Sequence, residues 1–319
     1  MTALLDNFSV FSKEAYTATF EMLAQYLEDF NSATGNAFVM STSRTAGDNE
    51  TIAEFKRIVN TAVRRDAYDD TTNIDTTKLE MLNKVGVKIG GRTDEILFSS
   101  NQFNWLQQNP ALAESIISKQ LAEAMFQDMV NTAITCAKTA MVAQGSVGYT
   151  IPASGTMTRA GLLNGSKIFG DRAQDIKVWV MHSTPKFAVD AENIANSANL
   201  FTLGDVKVQE DGFGRRFVVT DSPSLYSGSP SDFYTLGLTE GAIVVSDEGT
   251  FQDNMVKENG KENIQSSYQA QWDFLMKIKG YSFSTSVKSP TDAELATGGN
   301  WTEYFASLKH SAGVYVKSR

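Results

Sequence analysis

The sequence predicts an α+β fold, and three features of its 319 residues carry that prediction. One is an unbroken helical period from Asn109 to Gln144. Another is a series of short alternating strands from Ile176 onward, interleaved with helix-start signals. The third is a turn-rich, charged stretch, Gly47 to Ser99, with too few apolar residues to build a core of its own.

The elements follow in order. From Lys13 to Phe30 the apolar residues Tyr16, Phe20, Leu23, Leu27 and Phe30 recur in steps of three and four, with Ser12 as N-cap and Gly35 at the exit. A short strand, Phe38 to Met40, precedes the charged stretch. Within that stretch Arg64, Arg65, Asp66, Asp69 and Asp70 lead into a polar linker, Thr71 to Thr77. Val85, Val87 and Ile89 then alternate before Gly90-Gly91, as in one arm of a long, projecting β-loop.

The helix of Asn109 to Gln144 has Asn109 to cap it, Pro110 in its first turn and Gly145 as its stop. Its second half carries Ala133, Ala137 and Ala140, small enough to let another backbone come close. A Gly/Ser/Thr-rich loop follows to Thr158, then a helix from Arg159 to Phe169, a strand from Ile176 to Met181, and a helix begun by Ser183, Thr184 and Pro185. Val206 to Val208 and Phe217 to Thr220 flank the turn Asp211 to Gly214. Phe233 to Leu238 and Ala242 to Val245, joined by Thr239-Glu240-Gly241, read as a hairpin. Ile264 to Tyr281 alternates over a long run, and Gly313 to Val316 is the last strand.

Composition narrows the function. Hydrophobic residues make up 42% of the chain, enough for a real core, and no run reaches the roughly 20 apolar residues a membrane helix needs. One cysteine, Cys136, and two histidines, His182 and His310, exclude an intrachain disulfide framework and a Cys/His zinc cage. A formal charge of -9 opposes tight binding to phosphate backbones and suits the inner wall of a DNA container.

Several segments together resemble the major capsid proteins of tailed bacteriophages with the HK97-type shell fold. They are Phe103-Asn104-Trp105 with Asn109-Pro110 ahead of the long helix, Val180 to Pro185 before the next helix, Gly214 to Pro223, Ala242-Ile243-Val244, Gln271 to Phe274, and Lys279-Gly280-Tyr281. The resemblance covers nearly the whole chain. It implies an N-terminal arm at 1–36, an extended β-loop (E-loop) at 37–100, and a peripheral domain at 101–173 built on the spine helix 109–144. An axial domain at 174–260 and a returning strand with the C-terminal segment at 261–319 complete the division.

The function implied is a major capsid protein that self-assembles as hexamers and pentamers into an icosahedral shell around double-stranded DNA in the host cytoplasm, with arm and loop overlapping neighbours. A separate scaffolding protein, a portal and a decoration protein are the expected partners, with DNA nearby without specific contact, and no membrane or cofactor. Residues expected at subunit contacts are Arg64, Arg65, Asp66, Lys78, Lys84, Lys88, Arg92, Arg215 and Arg216. Lys78, Lys84 and Lys88 lie where a crosslinking lysine would sit, but no matching asparagine or helper glutamate can be assigned.

Other readings are an encapsulin-like compartment shell and, from a different class, a hydrolase or ligand-binding protein. His182-Ser183 with Asp190 invites a Ser/His/Asp triad, but helix capping by Ser183 or Thr184 explains these residues better, because no Gly-x-Ser-x-Gly elbow surrounds Ser183. Asp211-Gly212-Phe213-Gly214 lacks the Gly-Lys-Ser/Thr of a phosphate loop and reads as a hairpin turn. Met125, Met129 and Met141 on the long helix read as adaptable core packing rather than a cofactor box.

Overall fold

The computed structural model describes residues 18–319 except 20, 43–46, 48, 56–61, 70, 75, 77, 80, 100–109, 153–154, 192–197, 211–214, 229–231, 260–261, 264 and 306. Asn109 and the 103–105 segment therefore lie outside the described residues, as do the turn 211–214 and the first turns expected of the N-terminal helix.

The long helix runs Pro110–Gln144, 35 residues, or about 50 Å at a rise of about 1.5 Å each. Its two halves differ. Residues 115, 116, 119 and 120 are exposed, whereas from Leu121 onward Ala122, Met125, Phe126, Met129, Val130, Ala133, Ile134, Cys136, Ala137, Ala140 and Met141 are all buried. Buried positions so closely spaced cover about two thirds of the helix circumference, which requires packing partners on more than one side, while Glu123, Ala124, Gln127, Asn131 and Thr135 line a remaining strip that is partly exposed. A sheet on each of two sides, together with the segment 292–303, supplies them. That segment approaches through Gly298, where a Cβ would stand 2.6 Å from the Cβ of Ala143.

The strands in chain order are β1 (Phe38–Thr42), β2 (Asn49–Phe55), β3 (Met81–Arg92), β4 (Ile96–Phe98), β5 (Gly148–Thr150) and β6 (Ile176–Met181). They continue with β7 (Ala198–Leu203), β8 (Val206–Glu210), β9 (Arg216–Val219), β10 (Tyr226–Ser227), β11 (Asp232–Thr239) and β12 (Ile243–Asp247). The last are β13 (Gln252–Glu258), β14 (Gln265–Ile278), β15 (Tyr281–Phe283), β16 (Trp301–Glu303) and β17 (Gly313–Ser318).

The first sheet has the order β1-β12-β14-β3-β2, with β13 and β4 flanking the first half of β14. Along β14 the even residues from Ser266 to Ile278 are buried, while on the other face Gln269 and Gln271 are exposed and Ser267 and Leu275 are buried. Val85, Val87 and Ile89 of β3 are buried as their period predicts. β2 and β3 pair antiparallel from Asn49↔Val87 to Phe55↔Met81 and form the two arms expected of the loop.

The second sheet has the order β5-β17-β11-β6-β9-β8-β7, with β10 on β11. One face joins the long helix through Leu236, Leu238 and Val180. The other carries Trp179, Met181, Phe217, Val314 and Val316 over Leu162 and Phe169.

Two expectations are corrected. Thr239-Glu240-Gly241 is not a hairpin, because β11 belongs to the second sheet and β12 to the first. Gly241, at φ +64°, turns the chain from one sheet to the other. The crossing is held where the Gly241 N–H donates to the Asn36 carbonyl (2.7 Å) and the Ile243 N–H to that of Ala37 (3.2 Å).

Nor do all residues up to 36 seek a neighbour. A helix at 21–33 buries Leu23, Leu27 and Phe30 in this chain's own core, and the Phe30 ring meets Phe38, Phe126 and Phe201 edge-on at 5.2, 5.3 and 5.5 Å. The helix ends in a Schellman motif: Asn36 donates to Asn31, and Gly35, at φ +64°, to Ser32. The Asn31 side chain then bonds both backbone groups of Met40 at 2.8 Å, which folds β1 back beside β12.

Replacing Phe126 by Ala should lower unfolding free energy by about 3–5 kcal/mol, whereas Ile116→Ala on the exposed half should change it by about 0.5 kcal/mol or less. Urea unfolding of both variants checks the contrast.

Candidate assembly surfaces

Between β2 and β3 the described residues from 62 to 79 form no helix or strand and are exposed throughout. Arg64, Arg65, Asp66 and Lys78 are all among them. So are large apolar groups: Val63 is 86% exposed, Tyr68 96% and Ile74 93%.

The acidic turn in this loop is nevertheless ordered by its own bonds. Asp66 Oδ1 accepts from the Tyr68 N–H (3.0 Å), and Asp69 Oδ1 accepts from the N–H groups of Thr71 (2.8 Å) and Thr72 (3.1 Å) and the Thr71 hydroxyl (2.9 Å). The Thr72 hydroxyl bonds Asp69 Oδ2. These donors, the Thr72 hydroxyl foremost, hold the Asp69 carboxyl well below the usual range, so it stays ionised.

The other expected contact residues divide by what they touch. Lys88 Nζ lies 3.6 Å from Asp273 across the β3–β14 ladder, and Arg92 pairs with Asp94 at 3.4 Å. Arg216 donates to the carbonyls of Ser32 (3.0 Å) and Ala33 (3.2 Å) at the end of the 21–33 helix, where cationic groups are favoured. Lys88, Arg92 and Arg216 therefore have partners inside the chain. Lys84 and Arg215 are half-buried. The structure does not bring the nine residues together in one patch.

His182, Ser183 and Asp221 do meet, but as a helix cap. His182 Nδ1 accepts the Thr184 N–H (3.2 Å), and Asp221 Oδ1 accepts the Ser183 N–H (3.2 Å) while facing His182 Nε2 at 3.4 Å. The Ser183 hydroxyl, 3.4 Å from Nδ1, thus faces a nitrogen already occupied by a backbone donor, a poor arrangement for a general base. Asp190 is elsewhere, paired with the buried Lys186. The cap is made by His182 and Asp221 rather than by Ser183 or Thr184, because Asp221 reaches it only across the β6–β9 pairing. Its sequence signal, an acid after the strand at Phe217 to Thr220, has no fixed spacing to the helix.

A cationic cluster escaped the sequence reading. Lys138 of the long helix stands 4.8 Å from the Tyr234 ring centroid and Lys317 stands 5.8 Å from it. Asp232 pairs with both Lys317 (2.8 Å) and Arg319 (3.3 Å). Lys317 and Arg319 at alternate positions were a visible signal. The approach of Lys138, some 180 residues away in sequence, was not.

Three shallow clefts differ in charge. One of about 310 Å³ is lined by Thr150, Ile151, Pro152, Asp232, Lys317, Ser318 and Arg319. Another, of about 320 Å³, sets Lys186 and Lys207 against Asp190, Asp205 and Asp221. A third, of about 220 Å³, is lined by amides on β13 and β14 with Asp253 as its charge.

Comparison with known proteins adds the following. A family model described as major capsid protein 13-like matches residues 7–315. No curated protein matches the sequence. Among solved structures, a chain from Mycobacterium phage Bobi is similar over 90% of both chains with 11% identity and a TM-score of 0.45. The capsid of Ralstonia phage GP4 matches over 88% of this chain and 87% of that one, at 8% identity and a TM-score of 0.45. The capsid of Myoviridae phage XM1 matches over 89% and 90%, at 9% identity and a TM-score of 0.47.

The Asp221 carboxyl is held below its ordinary 3.8, first by the Ser183 hydroxyl and further by the Ser183 N–H and His182. A depressed folded-state value means the cap stabilises fully above the unfolded value and is lost as pH falls through the folded one. Asp221→Ala should therefore cost about 1 kcal/mol at neutral pH. The difference from the native chain should vanish in strong acid, as followed by thermal unfolding across pH.

Proposed function

The chain belongs to the major capsid protein 13-like family, and on that premise we propose that it closes an icosahedral head around double-stranded DNA through loop contacts between neighbouring copies. It is a shell-forming structural subunit of the virion. The observation carrying the finer reading is the loop 62–79, whose Val63, Tyr68 and Ile74 are almost wholly exposed beside a body that has a complete core without them. Burying a side chain of that kind is worth about 1.5–3 kcal/mol, so a second copy offers these residues what their own chain does not.

Shell geometry multiplies such contacts. Each subunit makes several modest ones, and closed symmetry requires them to break together before a subunit leaves. In this reading the fold is of the HK97 type, the copies form hexamers and pentamers in the host cytoplasm, and the loop spans the seam between adjacent subunits. Scaffolding, portal and decoration proteins complete the partners. DNA lies alongside without specific contact, as the net charge of -9 favours. The subunit works by position rather than catalysis, in keeping with the use of His182 and Asp221 as a cap.

Expression of the full chain, with and without a co-expressed scaffold, followed by electron microscopy tests this function; closed shells are expected. Trypsin should cut free subunits at Arg64, Arg65 and Lys78 and cut assembled ones at least about tenfold more slowly, since cleavage of a docked segment requires its release. Equal cutting rates in both states would remove the loop from the interface.

A further inference from the structure

We infer that the acidic turn around Asp66 and Asp69 of one copy docks in the cleft of a second copy that is lined by Lys317 and Arg319, with Tyr234 and Lys138 alongside. This rests on the loop's lying on a neighbouring copy, and it identifies the surface that receives it.

The turn has the properties of a preformed ligand. Its hydrogen bonds are satisfied locally by Asp66, Asp69, Thr71 and Thr72, so little further ordering is needed on binding. Asp66 and Asp69 present negative charge, and Tyr68 between them offers an aromatic ring that is 96% exposed. A turn that combines an aromatic ring with two carboxylates suits a receptor with apolar walls and positive charge.

The cleft at the end of β17 answers that description. Ile151 and Pro152 form an apolar wall beside Lys317 and Arg319, both of which pair with Asp232. Lys138, half-buried over Tyr234, pairs with no carboxylate among the described residues, and burial lowers its pKa. An incoming carboxylate would relieve that cost.

Charge also selects among the clefts. The one beside His182 holds three aspartates against two lysines, and the amide-lined one has Asp253 as its charge, so both would repel the turn. In a chain of net charge -9, a locally cationic cleft has particular value for self-association, because it offsets repulsion where two copies meet.

Crosslinking in assembled particles tests the contact. Cys136 is the sole native cysteine and is buried, so thiols placed by Asp66→Cys and Arg319→Cys should dominate the reaction with a short thiol-directed crosslinker. The double variant should give a ladder of covalent multimers, and Asp66→Cys with Gln252→Cys in the amide-lined cleft should not. Shells that form from the first pair without a ladder, or that ladder only with Gln252→Cys, overturn the docking site and leave the shell function standing. Failure of the native chain to assemble under any condition overturns both.

A charge exchange provides an independent readout. Asp66→Arg and Arg319→Asp should each raise the concentration for half-assembly about tenfold, and together restore it to within about threefold of native. Additive losses in the double variant would overturn the pairing.

Discussion

Everything in this architecture depends on covering the second half of the long helix. From Leu121 to Met141 its buried residues span about two thirds of the helix circumference and leave only the strip of Glu123, Ala124, Gln127, Asn131 and Thr135 partly open to water. A single sheet can cover only one stripe of such a helix, so the chain must place a sheet on two sides and a connecting segment on a third. Very distant parts of the sequence are recruited for this. Residues 23–40 enter near the start, β14 crosses one side, and β17 closes the other at the end of the chain.

The same constraint explains the passage between sheets at Thr239 to Ile243. Had β11 and β12 paired with each other, they would have covered one side of the helix and left the opposite side open. Turning at Gly241 sends consecutive strands to opposite sides, and the end of the 21–33 helix braces the crossing through Asn36 and Ala37. The Phe30, Phe38, Phe126 and Phe201 cluster lies at this junction, binding elements from four separate stretches into one core.

On the outer surface, charge is sorted by whether it is answered within the chain. Lys277 with Glu50, Lys88 with Asp273 and Lys309 with Asp171 are settled internally, as is Arg216 against the carbonyls of Ser32 and Ala33. Pairs at the surface contribute little individually, but these remove their side chains from the set available to another copy. Among the described residues, the turn around Asp66 and Asp69 stands apart from any such pairing, as does Lys138.

The sequence by itself determined the α+β class, the long helix with its Gly145 stop, the buried alternation of Val85, Val87 and Ile89, the Gly35 exit and the poverty of the 47–99 stretch. Each of these is a local consequence of residue spacing or backbone preference, and spacing is written in the chain. Tertiary structure alone decided that Thr239 to Gly241 joins two sheets, that Leu23, Leu27 and Phe30 belong to the home core, that Asp221 caps the helix beside His182, and that Lys138 meets Lys317 over Tyr234. Those outcomes depend on contacts between residues tens to hundreds of positions apart, and such contacts are set by how the faces of the long helix are shared out, which no local period records.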